Sequence, residues 1–346
     1  YGHGMTILAR ELVSLGYRRL CVAHVTEAAA LIEGGVEARF LLLSPSLPEH
    51  SEAIVAHGCE AALCTFEMAE ALDREALKIG KPVVAHLMVD TGMGRVGMRP
   101  DEVVQFLERC RALRGLRIRG LMSHFPCADA ADKAYSHAQI DRFRQLMRGV
   151  RGFGIEVRHM ANSAAILDLP EAHFDAVRPG IAMYGLRPSP DIANTRVNEL
   201  QPVLEWKTRI TFLKEVAAGT GLSYGHAFRT ARPSLIATIP VGYGDGLQRG
   251  LSNNVEFLVR GRRCPQVGRI TMDQSLIDVT VLRGAVELGD EVVLIGRQGR
   301  EQVSAEELAL RLDTINYEIV TAISARVPRV PEGGAGIAET DISGRG

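Results

Sequence analysis

Polar and charged side chains stand at the ends of apolar, strand-like runs in the first half of this sequence. Asp90 and Arg95 follow one run, His124 follows the next, and His159 and Arg178 stand at the last two. Imidazole, carboxylate and guanidinium groups are side chains that move protons and hold anions. If the runs are parallel strands of a barrel, their carboxyl ends meet at one rim, where barrel enzymes keep their chemistry. The spacing therefore predicts a polar site at that rim.

The last two runs also predict a site for a phosphate group. Barrels commonly bind phosphate with the loops after strands 7 and 8. These loops contain Ser163, at the start of a predicted helix, and the backbone amides near Gly180 and Ile181. Helix amino termini and free amides attract anions. Taken alone, without its neighbours, Ser163 is better explained as a helix N-cap.

The elements that must position these groups alternate between short apolar runs and amphipathic segments. Strands are predicted at residues 18–24, 39–44, 61–65, 83–89, 118–123, 157–161 and 176–177. This alternation is typical of a parallel sheet built from βα units. A closed (β/α)8 TIM barrel needs eight strands, and the helix predicted at residues 5–16 has no strand before it. We therefore expect the first strand to precede Tyr1, outside the printed sequence.

After residue 198 the hydrophobic pattern changes to a period of two. In residues 203–213, apolar side chains such as Trp206 and Ile210 fall on one face and charged ones on the other. This pattern predicts a half-buried strand. Further strands are predicted at residues 234–240, 255–259, 276–281 and 291–295, with one helix behind a capping box of Ser304 and Glu307.

The predicted organisation is α/β, with two domains and a tail. Residues 1–198 form the (β/α)8 barrel, and residues 199–330 form a mainly β C-terminal domain. Residues 331–346 are rich in glycine and polar side chains, which predicts a flexible tail.

Composition limits the classes of function. The 40 Lys and Arg residues nearly balance 41 Asp and Glu residues, and the formal net charge is -1. Such a chain has no field that attracts nucleic acid or an anionic membrane, and no apolar run approaches the roughly 20 residues that span a bilayer. The six cysteines show no Cys-x-x-Cys pairing, as is typical of reduced structural cysteines. We predict a small-molecule partner, a cytoplasmic location and no metal site.

One familiar motif is rejected on its context. Residues 92–97 match G-x-G-x-x-G after a strand, as in a dinucleotide site. In such a site the helix opens within the glycines, whereas here Pro100 marks the first helical turn. No acidic residue stands about 20 positions further on, where Arg117 and Arg119 occur instead. The glycines are predicted to form an extended loop that carries Arg95.

Nine short motifs together identify a family. They are Tyr1-Gly2-His3-Gly4, Asp90-Thr91-Gly92-Met93-Gly94-Arg95-Val96-Gly97, Ser123-His124-Phe125, Ala161-Asn162-Ser163-Ala164-Ala165, Val177-Arg178-Pro179-Gly180-Ile181, Ser223-Tyr224-Gly225, Gly242-Tyr243, Thr271-Met272-Asp273-Gln274 and Thr314-Ile315-Asn316-Tyr317-Glu318. In type and order they resemble the alanine racemase family of pyridoxal 5'-phosphate enzymes, over nearly the whole chain. The resemblance implies a (β/α)8 barrel followed by a β domain.

The resemblance also implies an activity and its partners. Members of this family interconvert L-alanine and D-alanine by a two-base mechanism, and the D-isomer serves peptidoglycan synthesis in the bacterial cytoplasm. They are homodimers with shared active sites. The same function, cofactor and assembly are expected of this chain.

The resemblance assigns cofactor-binding residues position by position. It assigns the cofactor phosphate to Tyr1, Ser163, Gly180, Ile181 and Tyr317, with Asn162 next to Ser163. His159, counted with the cofactor-binding residues, and His124 match members of the polar chain that leads outward from Arg178. Arg178 matches the arginine that faces the ring nitrogen of the cofactor. Because an arginine stays charged, it donates to that nitrogen and opposes its protonation, which makes the ring a weaker electron sink.

The resemblance assigns the bases and the substrate contacts as well. Tyr224 matches a tyrosine base that reaches the site from the partner subunit, with His124 in support. Arg95 and the backbone amide of Met272 match the groups near the substrate carboxylate, and Tyr243 matches an entrance residue that restricts substrate size. The second base is the cofactor-binding lysine, expected four residues before Tyr1 and absent from the printed sequence. As printed, the chain is expected to bind the cofactor weakly and not to racemise.

One position departs from the family pattern. Where many members carry a carbamylated lysine that orients the arginine equivalent to Arg95, this sequence has Met88. A thioether carries no charge, so Arg95 must be held by Asp90 or by a bound anion such as chloride. Met88 leaves open an amino-acid racemase of broader specificity. A non-catalytic cofactor carrier leaves residues 199–330 unexplained, and a related decarboxylase fits Asn162 and Ser163 poorly.

Overall fold

The structure, a computed structural model, describes residues 1–332. Two compact units are present, one of residues 5–201 and one of residues 1–4 together with residues 202–332. The predicted tail lies outside the described residues except for Pro331 and Glu332. Within residues 1–332, no helix is long and apolar enough to cross a membrane.

The first unit alternates strands with helices. Its strands are β1 (Arg19–Val22), β2 (Arg39–Leu42), β3 (Ala61–Leu63), β4 (Val83–Met88), β5 (Leu116–Met122) and β6 (Val157–His159). Its helices are α1 (Met5–Ser14), α2 (Val25–Glu33), α3 (Ser51–Ala56), α4 (Phe66–Ile79), α5 (Val103–Cys110), α6 (Ala134–Gly149) and α7 (Ser163–Asp168). Short 3-10 helices lie at Pro48–His50, Pro170–Ala172, Ile181–Tyr184 and Thr195–Glu199.

The strands of this unit pair in chain order and run parallel. β1 pairs with β2, and β3 to β6 form a second run in which each strand pairs with the next. A parallel bridge from Leu41 to Glu60 joins the two runs, and another from His159 to Ala176 adds a seventh position. This is the strand order of a (β/α)8 barrel, so the predicted fold class is confirmed. The strand predicted at residues 176–177 is reduced to one bridge, and the Arg178 amide just after it donates to the Ala161 carbonyl at 2.9 Å.

A buried apolar core holds the strands of this unit in place. Leu42, Leu63, Leu87 and Leu121 are fully buried and belong to one cluster with side chains from the surrounding helices. Burial of each such leucine stabilises the fold by about 1.5–3 kcal/mol. The apolar side chains within the strands fill the core. The polar residues that follow the strands lie outside it and form the polar rim.

The glycine-rich segment lies in a loop, as predicted. Residues 92–97 precede α5, which begins at Val103, three residues after Pro100. The placement of Pro100 in the first helical turn was therefore wrong, because residues 99–102 form a separate turn in which the Glu102 amide donates to the Arg99 carbonyl.

The second unit is mainly β. Its strands are β7 (Trp206–Arg209), β8 (Phe212–Val216), β9 (Gly221–Leu222), β10 (Phe228–Arg229), β11 (Ser234–Ile239), β12 (Glu256–Val259), β13 (Arg262–Pro265), β14 (Ser275–Asp278), β15 (Glu291–Gln298) and β16 (Glu301–Val303). Its helices are α8 (Ala305–Arg311) and α9 (Asn316–Thr321), with 3-10 helices at Tyr224–His226, Tyr243–Asp245, Arg249–Leu251 and Thr280–Leu282.

The single strand predicted at residues 203–213 is wrong. The structure divides it into β7, which pairs with β15, and β8, which pairs with β11 in a different sheet. The amide of Ile210 donates to Asp290 and that of Thr211 donates to Thr238, so the chain passes between sheets at these two residues. Alternation of side chains alone does not reveal such a change of partner.

Other predictions for this unit were incomplete. The strands β9, β10, β13 and β16 and the helix α9 are short elements that the hydrophobic pattern did not predict. The capping bond from the Glu307 amide to Ser304 Oγ is present at 3.1 Å. The Glu307 carboxylate, however, accepts hydrogen bonds from Arg263 at 2.9 and 3.0 Å instead of completing the box.

Candidate functional site

Arg178 is the centre of the polar site in the first unit. Its backbone amide donates to the Ala161 carbonyl at 2.9 Å, which places it just beyond the seventh strand position. The guanidinium donates from Nη1 to His159 Nδ1 at 2.5 Å, and from Nη2 to the Ser123 carbonyl at 2.6 Å and to His124 Nδ1 at 3.1 Å. Three residues named in the sequence analysis, Arg178, His124 and His159, are therefore brought together.

The proton positions along the chain of contacts from Arg178 follow from its chemistry. A guanidinium only donates, so Nδ1 of His159 must accept. The proton of His159 then lies on Nε2, which donates to Nδ1 of His86 at 2.7 Å. By the same reasoning His86 carries its proton on Nε2 and donates it to Glu60 Oε2 at 3.0 Å. A buried relay thus connects Arg178 to a carboxylate through two neutral imidazoles.

The pKa shifts agree with these protonation states. Burial, followed by the charges of Arg178 and Arg95, lowers the pKa of His124 to about 4. Burial and the Arg178 charge hold the pKa of His159 well below its usual range. Burial lowers the pKa of Arg178 to about 10, so the guanidinium stays cationic at neutral pH. The hydrogen bond from His86 lowers the pKa of the Glu60 carboxyl.

His86 and Glu60 were missed by the sequence analysis. His86 lies in β4 and is 4% exposed. Its ring fits because residue 120 on the neighbouring strand is glycine, where a Cβ would lie only 2.1 Å from His86 Nδ1. A signal was present in the sequence, since His86 is a lone titratable residue within an otherwise apolar strand.

A second buried polar chain supports the segment that carries His124. Gln139 is fully buried, and its Nε2 donates to the His124 carbonyl and to Thr91 Oγ1, both at 3.2 Å. Thr91 Oγ1 in turn lies 2.7 Å from Ser123 Oγ. These hydrogen bonds hold the loops after β4 and β5 in register at the rim.

The residues predicted to bind phosphate form a compact group. Ser163 Oγ accepts hydrogen bonds from the amides of Gly180 at 2.8 Å and Ala182 at 3.2 Å. Within residues 1–332 the Ile181 amide makes no hydrogen bond. The N-cap of α7 is Asn162, whose Oδ1 accepts from Ala165 at 3.1 Å. The assignment of Ser163 as the N-cap was therefore wrong, because Asn162 takes that position and frees Ser163 to bond the next loop.

The loop of Asp90 and Arg95 is closed on itself. Asp90 Oδ1 accepts from the amides of Gly92 and Met93 at 2.8 Å and of Gly94 at 3.1 Å. In the described part of the chain, no ion pair joins Asp90 to Arg95. Asp90 thus shapes the loop and is not the residue that holds Arg95, which contradicts the first of the two alternatives for that role. Met88 is 5% exposed and packs in a small apolar cluster with Met122.

In the second unit, Tyr224 is presented on a strained turn. Its side chain is 73% exposed. Ser223, Gly225 and His226 all have positive φ, at 60°, 67° and 46°. Left-handed backbone in non-glycine residues is costly and concentrates at functional sites. Among the described residues the Tyr224 hydroxyl makes no hydrogen bond.

Two further groups of predicted residues meet within the second unit. The rings of Tyr1 and Tyr317 have centroids 6.2 Å apart, and burial raises the pKa of Tyr1. Tyr243, which is 43% exposed, donates its amide to the Thr271 carbonyl at 2.9 Å, beside Met272, which is 54% exposed. Across residues 1–332 no group of three or more His, Cys, Asp or Glu side chains could hold a metal ion.

Comparison with known proteins matches both units. Residues 1–188 match the family model described as alanine racemase, N-terminal domain, and residues 203–331 match the alanine racemase, C-terminal domain. An alanine racemase of Halothermothrix orenii is 47% identical over 331 residues, covering 95% of this chain and 86% of that protein. One of Clostridium novyi is 40% identical, with 95% and 86% covered.

Solved structures give the same match. An alanine racemase of Clostridium difficile 630 superposes with a TM-score of 0.91 at 34% identity, covering 96% of this chain and 86% of that one. An alanine racemase from Bacillus anthracis, solved with bound L-Ala-P, superposes with a TM-score of 0.89 at 37% identity and the same coverage.

Proposed function

The chain belongs to the alanine racemase family, and we propose that it interconverts L-alanine and D-alanine with pyridoxal 5'-phosphate as its cofactor. It is an amino-acid racemase, and the D-alanine it forms supplies peptidoglycan synthesis in the bacterial cytoplasm. The observation that carries the cofactor assignment is the setting of Arg178. Its guanidinium is held by four acceptors, two neutral imidazoles and the carbonyls of Ser123 and Met160, and within residues 1–332 its positive charge has no carboxylate partner.

The donor set of the first unit fits a phosphorylated pyridine. The Ser163 hydroxyl, the Ile181 amide and the first turn of α7 behind Asn162 supply hydrogen-bond donors for a phosphate, and the Gly180 amide holds Ser163 Oγ in place. Arg178 supplies a donor for the ring nitrogen. Tyr1 and Tyr317 belong to the same proposal on the strength of the resemblance. When bound, the cofactor withdraws electrons from the substrate α-carbon and so acidifies its proton.

Arg178 controls how strongly that withdrawal acts. A permanent cation that only donates disfavours a proton on the ring nitrogen. His159 must accept from Arg178, and the relay through His86 to Glu60 keeps His159 in the tautomer that can do so. His124 is held as a neutral acceptor in the same way. We expect this arrangement to favour return of a proton to the α-carbon over side reactions.

The proton transfers are assigned to two bases on opposite faces of the substrate. Tyr224, contributed by the partner subunit of a homodimer, is one base. The other is the cofactor lysine expected before Tyr1. Arg95 and the Met272 amide bind the substrate carboxylate, Tyr243 restricts substrate size, and a bound anion beside Arg95 takes the orienting role that Met88 cannot take.

Racemisation tests the proposal in the full-length protein. We expect purified protein incubated with pyridoxal 5'-phosphate and L-alanine to form D-alanine until the two isomers are equal, as measured by chiral chromatography. No D-alanine with any added cofactor would contradict the proposal. Formation of a decarboxylated amine instead would replace it with a decarboxylase.

The runner-up function is a racemase of broader specificity, favoured by the observation that Met88 stands in an apolar cluster. Rates on alanine, serine, lysine and arginine distinguish the two. We expect alanine to be fastest, and a higher rate on lysine or arginine would favour the broader racemase. Intact mass and the visible spectrum, before and after hydroxylamine, test the lysine linkage of the cofactor.

A further inference from the structure

Two turns of the second unit are locked together around the Met272 peptide. The turn at residues 242–246 donates its Tyr243 amide to the Thr271 carbonyl and its Gly244 amide to the Met272 carbonyl, both at 2.9 Å. The contact is close enough to require glycine. A Cβ at Gly242 would lie 2.1 Å from the Thr271 carbonyl oxygen, and one at Gly244 would lie 2.5 Å from Arg326 Nη2.

Arg326 binds both turns at once. Its Nε donates to Asp245 Oδ1 at 2.7 Å, and its Nη2 donates to Asp273 Oδ1 at 2.9 Å and to the Met272 carbonyl at 3.3 Å. Asp245 is itself tied back, because its Oδ2 accepts from the Gly242 amide at 2.8 Å. One guanidinium therefore bridges two acidic side chains from different turns and a main-chain oxygen between them.

This bridge sets the direction of two amide N–H groups. In a trans peptide the C=O and the following N–H point in opposite directions. Since the Thr271 and Met272 carbonyls point to the turn at residues 242–246, the amides of Met272 and Asp273 point away from it. Within residues 1–332 neither amide makes a hydrogen bond. Two adjacent unpaired N–H groups are suited to a carboxylate.

Arg326 also changes the charge beside these amides. The Asp273 side chain is 63% exposed and directly follows Met272. An unpaired carboxylate there would repel a substrate carboxylate, whereas a guanidinium shared between Asp245 and Asp273 offsets that repulsion. The direction of the two amides and the positive charge of Arg326 therefore both favour a bound carboxylate.

We propose that Arg326 is a positioning residue for the substrate carboxylate, acting through the Met272 and Asp273 amides that it holds in place. The inference rests on the proposed racemase function and deepens it. It adds a residue that does not touch the substrate but sets the group that does.

The test compares two arginines of the same unit. Arg283 matches Arg326 closely: its side chain is 48% exposed against 47%, and it donates to Glu215 at 2.9 and 2.7 Å and to the Pro233 carbonyl at 3.4 Å. Neither Arg283 nor Glu215 is assigned to the site. Arg283→Gln therefore controls for the loss of an exposed, carboxylate-bonded arginine.

We expect Arg326→Gln in the cofactor-loaded enzyme to raise the KM for alanine, and the inhibition constant of propionate, by about tenfold. This is the factor expected when a hydrogen bond from the Met272 or Asp273 amide to the charged carboxylate is lost. The cofactor spectrum and the midpoint of thermal unfolding should change no more than in Arg283→Gln, whose KM stays within about twofold of the wild type. Arg326→Lys keeps the positive charge but loses the several N–H donors of the guanidinium. Its KM for alanine should therefore lie between those of the wild type and Arg326→Gln.

Two results would overturn the inference. One is an unchanged KM and propionate inhibition in Arg326→Gln, with the wild type active. The other is an equal rise in Arg283→Gln, which would assign the effect to general stability. If Arg326→Gln does not fold, the KM of Arg326→Lys is the deciding measurement. A KM equal to that of the wild type in Arg326→Lys would refute the inference that the guanidinium must bridge the two turns. A wild type that racemises no amino acid would instead refute the proposed function itself.

Discussion

Arg178 and Arg326 show two uses of one side chain in two regions of the molecule. Among the described residues, Arg178 is surrounded by two neutral imidazoles and two carbonyls, so its charge is not cancelled by an adjacent acid. Arg326 is bonded to two carboxylates, which raise its pKa above its ordinary value and cancel its charge locally. The charge of Arg178 is therefore available to act on the electronics of a bound ring. Arg326, whose charge is neutralised by its two carboxylate partners, is suited to hold turns together.

The surroundings of the two arginines differ in the same way. In the first region, hydrogen bonds position buried side chains: His159 bonds Arg178 and His86, and Gln139 bonds Thr91 and the His124 carbonyl. In the second unit the candidate groups are exposed, and backbone contacts at glycine-rich turns position them. We therefore expect changes in the first region to affect stability and activity together, and changes in the second to affect activity with little change in stability.

The largest expected effect is on activity in the exposed region. Tyr224→Phe removes the hydroxyl that transfers the proton, and general acid–base catalysis is worth about 10²–10⁴-fold. We expect kcat to fall by about that factor while the free energy of unfolding changes by less than about 0.5 kcal/mol. Chiral assay and urea denaturation measure the two quantities. Tyr17→Phe, at a tyrosine that is 59% exposed, is the control, and a Tyr224→Phe enzyme with full activity would refute the assignment.

The next effect is the pH dependence of stability in the buried region. The pKa of His124 in the folded protein is about 4, against about 6.5 in an unfolded chain. Between these values the unfolded chain binds a proton that the folded chain does not, so stability is lost as the pH falls below 6.5. We expect cofactor-free wild type to lose about 2 kcal/mol more than His124→Gln between pH 7 and pH 5. Equal losses in urea denaturation would show that His124 is not held neutral.

A third change tests the space around His86. In Gly120→Ala the added Cβ would lie 2.1 Å from His86 Nδ1. Overpacking of this kind costs about 1–3 kcal/mol, and we expect kcat to fall as well, because the relay to Arg178 is displaced. Gly149→Ala is the matched control, since its Cβ would meet only Val104 at 3.9 Å. Equal stability of the two variants would show that the strand accommodates the methyl group.

The smallest effect is expected at the far end of the relay. Glu60→Gln keeps an acceptor for His86 but removes the carboxylate charge. His86 and His159 therefore keep their protons on Nε2, and only the hydrogen bond that stabilises this arrangement weakens. We expect kcat to fall by less than about tenfold, equivalent to about 1 kcal/mol. Glu108→Gln, at an exposed acid that pairs with Arg111, should leave kcat unchanged. A larger loss in Glu108→Gln than in Glu60→Gln would contradict the relay.

Much of the barrel was predictable because each strand leaves a local pattern. Runs such as residues 83–89 and 118–123 correspond to β4 and β5, and the groups at their ends meet because parallel strands share a rim. The β-rich unit was less predictable. The chain changes sheets at Ile210 and Thr211, and this depends on partners at Thr238 and Asp290 that are distant in sequence.

The sequence by itself determined the barrel order, the β character of the second unit, the family and the residue types at the strand ends, because these depend on local hydrophobic period and on short motifs. Only the tertiary structure decided which nitrogen of His159 and His86 carries the proton, and that Arg326 joins Asp245 and Asp273. Those partners are 81 and 53 residues away along the chain. Hydrogen bonds depend on distance and direction in space, and no local pattern specifies either across such separations.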